Sequence, residues 1–234
     1  MNRNPKHPGT RHLPRGLDIL YEDDQLLVVD KPAGLLAVGT PTNRTRTAYY
    51  MLTEYVRKGN PKSRNRIFIV HRLDQWTSGV LIFAKSEPVK ERLQENWTQV
   101  KKTYIAVVHG RPEKNEDTIS SYLAENKGLK VYSTNDPSRG KLAHTAYKVV
   151  KQTPKFAMLE IDLLTGRKNQ IRVHLADIGC PIVGDRKYGR PDDGYRRLAL
   201  HARSIRFPHP QTGKPLAFDA KPPSYFRQLM DEKE

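Results

Sequence analysis

Apolar residues in this chain come in short runs, and the spacing within each run separates strands from helices. Ile67-Phe68-Ile69-Val70 and Val80-Leu81-Ile82-Phe83-Ala84 are unbroken apolar stretches of strand length, which predicts two buried strands. The segment between them, His71 to Gly79, is polar and closes on a glycine, so it reads as a loop between core strands. Leu17 to Asp30 gives two further strands around the polar turn Tyr21-Glu22-Asp23-Asp24-Gln25. Thr103 to His109 and Ala157 to Leu163 alternate as strands do. Helical spacing marks residues 48–58, which run into Gly59-Asn60-Pro61 as a stop, and residues 86–97, where Ser86 is placed to cap and Pro88 sits early. Residues 170–178 form a third helix, with Ile171, Leu175 and Ile178 on one face and Gly179 as its terminator. The elements predict an α+β chain: a single domain over residues 17–234, built on a mixed, largely antiparallel β-sheet flanked by helices and loops. No internal repeat or linker interrupts it. Residues 185–197, rich in Gly, Pro, Asp and Arg, read as a long functional or mobile loop.

Charge narrows the class of partner. Lys and Arg number 41 against 25 Asp and Glu, a formal net charge of +16, and an excess of that size favours anionic partners, nucleic acid first. Residues 1–16 carry Pro, Arg and His without periodicity and read as a basic arm, flexible unless docked. No apolar stretch nears the ~20 residues a membrane helix needs, and the N-terminus lacks the apolar segment of a signal peptide, so a cytoplasmic protein is expected. The single cysteine, Cys180, excludes an intramolecular disulfide and reads as a buried small residue. The eight histidines show no HExxH or HxxxH spacing, and no metal is expected.

Candidate chemistry centres on Asp74. A carboxylate on a loop held by two core strands can act as nucleophile or general acid/base. The bland alternative is that Asp74 and Ser78 only order a turn by bonding nearby backbone N–H groups. Ser78 as a hydrolase nucleophile lacks a GxSxG elbow and an assignable base.

The stretch His71-Arg72-Leu73-Asp74-Gln75-Trp76-Thr77-Ser78-Gly79 resembles the HRLDxxTSG signature of the RluA-type RNA pseudouridine synthases. Four more segments resemble that family in order: Ile19 to Asp24 running into Val28-Val29-Asp30-Lys31-Pro32-Ala33-Gly34; Lys102 to Gly110; Leu164 to Leu175; and Gly184-Asp185-Arg186-Lys187-Tyr188-Gly189. The resemblance covers about residues 17–226. It implies the pseudouridine synthase fold and isomerisation of chosen uridines in tRNA, large-subunit ribosomal RNA or both. The reaction breaks the ribose bond to N1, turns the uracil and rejoins it at C5, so no cofactor is needed. The same resemblance makes Asp74 the catalytic aspartate and Arg172 the arginine that pairs with it, keeping the acid ionised and aimed. Tyr104 becomes the active-site tyrosine, able to stack on uracil and assist removal of the C5 proton, although a strand tyrosine is also a good core residue. Ile171 would wall the pocket or simply pack. Arg72 would contact RNA near the place vacated by the flipped base, or form a structural salt bridge. Arg167 and Lys168 are RNA-binding candidates.

Two departures bear on target choice. Many relatives carry Thr-His where this chain has Lys168-Asn169, and Trp76 is an uncommon occupant of its loop, where it packs on the core or stacks on RNA. About 16 residues precede the first matching segment, too few for the small S4-type RNA-binding domain of many members, which implies recognition by the catalytic domain, the arm and the loops; a monomer is expected. The competing class is a catalytically idle RNA-binding or ribosome-assembly protein on the same fold.

Overall fold

The computed structural model describes residues 16–190 and 193–231; the basic arm therefore lies outside the described residues except for Gly16. The chain divides into two compact units, one of residues 16–100 with 206–220 and one of residues 101–205 with 221–231.

In the first unit, β1 (Asp18–Glu22) and β2 (Leu26–Lys31) pair antiparallel, and β2 pairs antiparallel with β4 (Ser78–Ala84). Asp23 makes the predicted turn, its Oδ1 accepting from the backbone N–H groups of Gln25 and Leu26. Every residue of β4 is buried, as its unbroken apolar run requires, and each of its large side chains contributes roughly 1.5–3 kcal/mol of transfer free energy. The strand before the loop is shorter than the apolar run: β3 is only Phe68–Ile69, paired antiparallel with Phe83 and Ala84, and both its residues are partly exposed. It occupies the sheet position on β4 that leaves residues 70–77 as the connecting loop.

Helix α1 (Ala48–Arg57) starts where Thr47 caps it, the Thr47 hydroxyl accepting from Tyr50 N–H at 3.1 Å, and stops as Lys58 turns left-handed. Helix α2 (Glu87–Glu95) has Ser86 at the cap position and Pro88 in its first turn, but the Ser86 side chain makes no capping bond, so that expectation fails in detail.

The second unit is a fully antiparallel run of strands in the order β5 (Lys101–His109), β9 (Phe156–Leu163), β8 (Lys141–Gln152), β6 (Glu116–Glu125) and β7 (Val131–Thr134). Strand β10 (Leu200–Pro208) has residues 200–205 in this unit and 206–208 in the first, and β11 (Pro215–Asp219) pairs with it. Helix α3 (Gln170–Asp177) lies where predicted, ahead of Gly179 with φ +73°, and α4 (Ser224–Asp231) ends the described chain. Ile171 and Leu175 are buried, whereas Ile178 is 37% exposed and belongs to the helix end, not to its apolar face. The α+β class and the antiparallel pairing expected from the sequence are both present, and Cys180 is buried as expected.

Candidate active site

In the first unit, Asp74 lies half-buried on the loop after β3, with Leu73 buried before it and Thr77 and Ser78 buried behind it. A turn forms at the acid itself, Thr77 N–H donating to the Asp74 carbonyl at 3.2 Å. His71 orders the loop: its Nε2 accepts from Ile82 N–H at 3.1 Å, which requires a neutral ring with the proton on Nδ1, and the ring lies against Trp97 at 5.0 Å. The carboxylate is thus carried by a loop tied to β4 at both ends.

The strongest brace is Lys31, fully buried at 0% exposure at the end of β2. Its Nζ donates to the carbonyls of Pro32 at 3.0 Å, Leu35 at 2.9 Å and Gln75 at 3.1 Å. Three acceptors match the three donors of an ammonium, so one side chain closes the 32–35 turn and ties it to the residue after Asp74. Burial pushes this ammonium down to about 7, against the opposing pull of the Asp74 and Asp30 carboxylates. A second clasp runs in parallel. Gly34 N–H donates to the Gln75 carbonyl at 2.9 Å, and the Gln75 side-chain amide returns a bond to the Gly34 carbonyl at 3.1 Å. Gly34 has φ +90°, and a Cβ there would meet the Trp76 ring at 3.3 Å, so glycine satisfies both the backbone and the close approach. Trp76 is 48% exposed, with its ring edge on Gly34, and so packs on the neighbouring turn while presenting aromatic surface to solvent. Arg72 is exposed and forms no ion pair among the described residues.

In the second unit, Tyr104 is buried on β5 opposite Ile161, and Ile171 is buried in the first turn of α3. Arg172, one residue on, is gripped bidentately by Asp185: Nε to Oδ2 and Nη2 to Oδ1, both at 2.7 Å, with side chains 12% and 1% exposed. Asp185 also accepts from Lys187 N–H at 2.9 Å and Tyr188 N–H at 3.1 Å. The Tyr188 ring lies 5.0 Å from the Arg172 guanidinium, and its hydroxyl accepts from Val131 N–H and donates to the Asn169 side-chain oxygen, each at 3.1 Å. The Gly184 to Gly189 segment is therefore the mount of Arg172. Asn169 occupies the helix N-cap position with φ +54°, a left-handed conformation that asparagine tolerates, and its amide serves Tyr188 instead of capping the helix.

Beneath α3, Gln170 donates to the His144 carbonyl and the Thr145 hydroxyl, both at 2.9 Å, and accepts from Thr165 at 2.8 Å and Arg167 N–H at 3.0 Å. Buried His174, its pKa lowered by burial, bridges Thr145 and Ser121. This polar network fixes the loop that carries Arg167 and Lys168. Lys31, Gln75, Asp185 and Tyr188 were all within recognisable sequence segments, but no periodicity or charge pattern singled them out. Among the described residues no group of three or more His, Cys, Asp or Glu is arranged to hold a metal ion, and no helix is long and apolar enough to cross a membrane.

Residues 25–177 match the family described as RNA pseudouridylate synthase. The chain is 34% identical over 220 residues to ribosomal large subunit pseudouridine synthase C of Rickettsia bellii, spanning 90% of this chain and 70% of that protein. It is 36% identical over 222 residues to an uncharacterised RNA pseudouridine synthase, YlyB, of Bacillus subtilis, spanning 93% and 73%. Among solved structures, human RNA pseudouridylate synthase domain containing 4 superposes with a TM-score of 0.75 at 26% identity, covering 90% of each chain. The match runs from β2 through α3, taking in the Asp74 loop, Tyr104 and Arg172, and the chain belongs to the RNA pseudouridylate synthase family, isomerases of the RluA type.

Proposed function

We propose that this synthase isomerises particular uridines in large-subunit ribosomal RNA, with Asp74 as the catalytic acid residue, acting on a nucleotide flipped out of its stack. The observation that carries the reading is the bracing of the Asp74 loop. A carboxylate needed only for a turn has no use for a buried ammonium bonding three carbonyls around it, whereas one that must meet a reacting atom gains from a rigid mount. The printed name of the Rickettsia relative supports ribosomal RNA as the substrate class; a tRNA loop is the other substrate to test.

In this reading the target base leaves its stack at a cost of a few kcal/mol, least in an RNA loop. Arg72, exposed beside the acid and without an ion pair among the described residues, is suited to fill the vacated place with its planar guanidinium. Asp74 then acts at the sugar or base as the bond to N1 breaks. The uracil stays in a site shielded from water, turns, and rejoins through C5, whose proton is removed in the last step. Tyr104 and Arg172 are the further catalytic residues: a buried ring suits stacking on uracil and its hydroxyl suits proton transfer, while a guanidinium mounted by Asp185 offers a fixed cation.

The test is a map of pseudouridines in ribosomal RNA and tRNA from cells lacking the protein, rescued by wild type or by Asp74→Asn. Loss of one or a few ribosomal RNA sites, restored by wild type alone, is expected. Restoration by Asp74→Asn would overturn the assignment of the acid; unchanged maps would favour an RNA-binding protein without turnover.

A further inference from the structure

A groove of about 540 Å³ opens in the second unit between β6, the β7–β8 turn and the loop before α3. Its walls carry Arg139, Lys141, Arg167 and Lys168 against one carboxylate, Glu125, which is bonded to the Lys168 ammonium. The other three cations form no ion pair among the described residues: Arg139 donates to the Tyr132 hydroxyl at 3.1 Å, Arg167 uses Nε on the Leu142 carbonyl at 3.2 Å, and all three side chains are exposed. Asp136 feels the charge of Arg139, but its Oδ1 is taken by the Ser138 backbone and hydroxyl. Cations gathered in a concavity focus a positive field more strongly than the same charges spread over a convex face.

Two features set this groove apart from a merely charged surface. Its inner wall is rigid, because Leu123 and Val131 belong to a packed apolar cluster with Ala143, Val173 and Tyr188. Gly166 lines the groove although its backbone does not need glycine: its φ is not positive, and a Cβ would meet no heavy atom within 4 Å. What the missing side chain leaves is space at the groove, where another backbone can approach closely.

We infer that this groove is a binding site for the sugar-phosphate backbone of a single RNA strand, with Arg139, Lys141, Arg167 and Lys168 as phosphate ligands. The occupant is a stretch of the RNA substrate outside the reacting nucleotide, so the inference rests on the proposed function and deepens it. Planar guanidinium groups and ammonium groups lining one groove suit successive phosphates, contacts that position a strand without reading its sequence.

The experiment uses the full chain, a fluorescein-labelled oligouridylate of about twelve nucleotides for binding, and a large-subunit ribosomal RNA transcript for turnover. Two variants are compared with wild type: Arg139→Ala/Lys141→Ala, which removes two phosphate ligands, and Gly166→Leu, which fills space without changing charge. Single-strand affinity falls with salt at a slope of roughly 0.7 per phosphate contact, so removing two contacts makes the loss between about 50 and about 200 mM salt ~7-fold smaller than for wild type. Gly166→Leu is expected to weaken binding several-fold at every salt concentration, with circular dichroism and thermal midpoint unchanged. Wild-type slope and affinity in both folded variants would overturn the groove while leaving the synthase reading intact. Displacement of the probe by polyglutamate in preference to unlabelled ribosomal RNA would overturn it in favour of an acidic protein partner. Absence of pseudouridine formation by wild type would instead strike the function on which it rests.

Discussion

Replacing Lys31 by methionine separates two opposed effects at the brace of the Asp74 loop. Methionine keeps most of the buried volume but cannot donate, so the carbonyls of Pro32, Leu35 and Gln75 lose their shared partner, at about 1–3 kcal/mol for each group left unsatisfied. It also removes a cation that burial disfavours, holding its pKa at about 7 against the ordinary 10.5. Between those two values the unfolded chain binds more protons at this lysine than the folded chain does, so this group makes stability rise with pH. Integrated over both titrations, the rise from about pH 7 to about pH 9 is about 2 kcal/mol, and it is absent from Lys31→Met. Other titrating groups are common to both proteins and cancel in the difference. Both tryptophans, Trp76 and Trp97, lie in the first unit, so urea unfolding followed by their fluorescence reports on the unit that holds the brace. The stability gap between wild type and Lys31→Met should therefore widen by about 2 kcal/mol across that range. Parallel pH profiles would refute the reasoning, because they would mean that Lys31 has the same proton affinity folded and unfolded.

The mount of Arg172 and the turn that precedes it give two more tests. Asp185→Asn leaves a nearly buried guanidinium facing a neutral amide, which should cost about 3 kcal/mol of stability and lower turnover; a loss under about 1 kcal/mol in denaturant unfolding would show that the pair does not hold the arginine. Gly184 has φ +74°, and a Cβ there would meet the Arg197 carbonyl oxygen at 2.1 Å, so Gly184→Ala should destabilise by more than about 2 kcal/mol or abolish folding, and an unchanged thermal midpoint would contradict it.

Apolar patterning in the sequence was enough where a segment buries its own apolar face. The all-apolar run of β4, the turn at Asp23, the limits of α1 and the glycine stop after α3 were legible because each depends on neighbours a few residues away. The acid-bearing loop was legible for the same reason, lying between two such runs. Strand β8 escaped because its buried side alternates Ala143, Thr145 and Tyr147, and Thr145 is tolerated there only through its bonds to Gln170 and His174 from another segment. Strand β6, exposed at five of its ten positions and buried only at Leu123 and Ala124, carries no sustained apolar alternation. The excess of Lys and Arg was plain in the composition, yet the sequence could not say which cations share a groove.

By itself, then, the sequence determined the chemical class of the protein, through the Asp74 signature, the segments around Tyr104 and Arg172 and the basic balance, because reactive residue types and local periodicity are written in one dimension. Only the tertiary structure decided that Lys31 holds the Gln75 carbonyl across 44 positions of chain, that Asp185 grips Arg172, and that Arg139, Lys141, Arg167 and Lys168 line one groove. Those relations depend on distance and on exclusion of water, which strand pairing creates between residues far apart in sequence, and a buried lysine and an exposed one are spelled with the same letter.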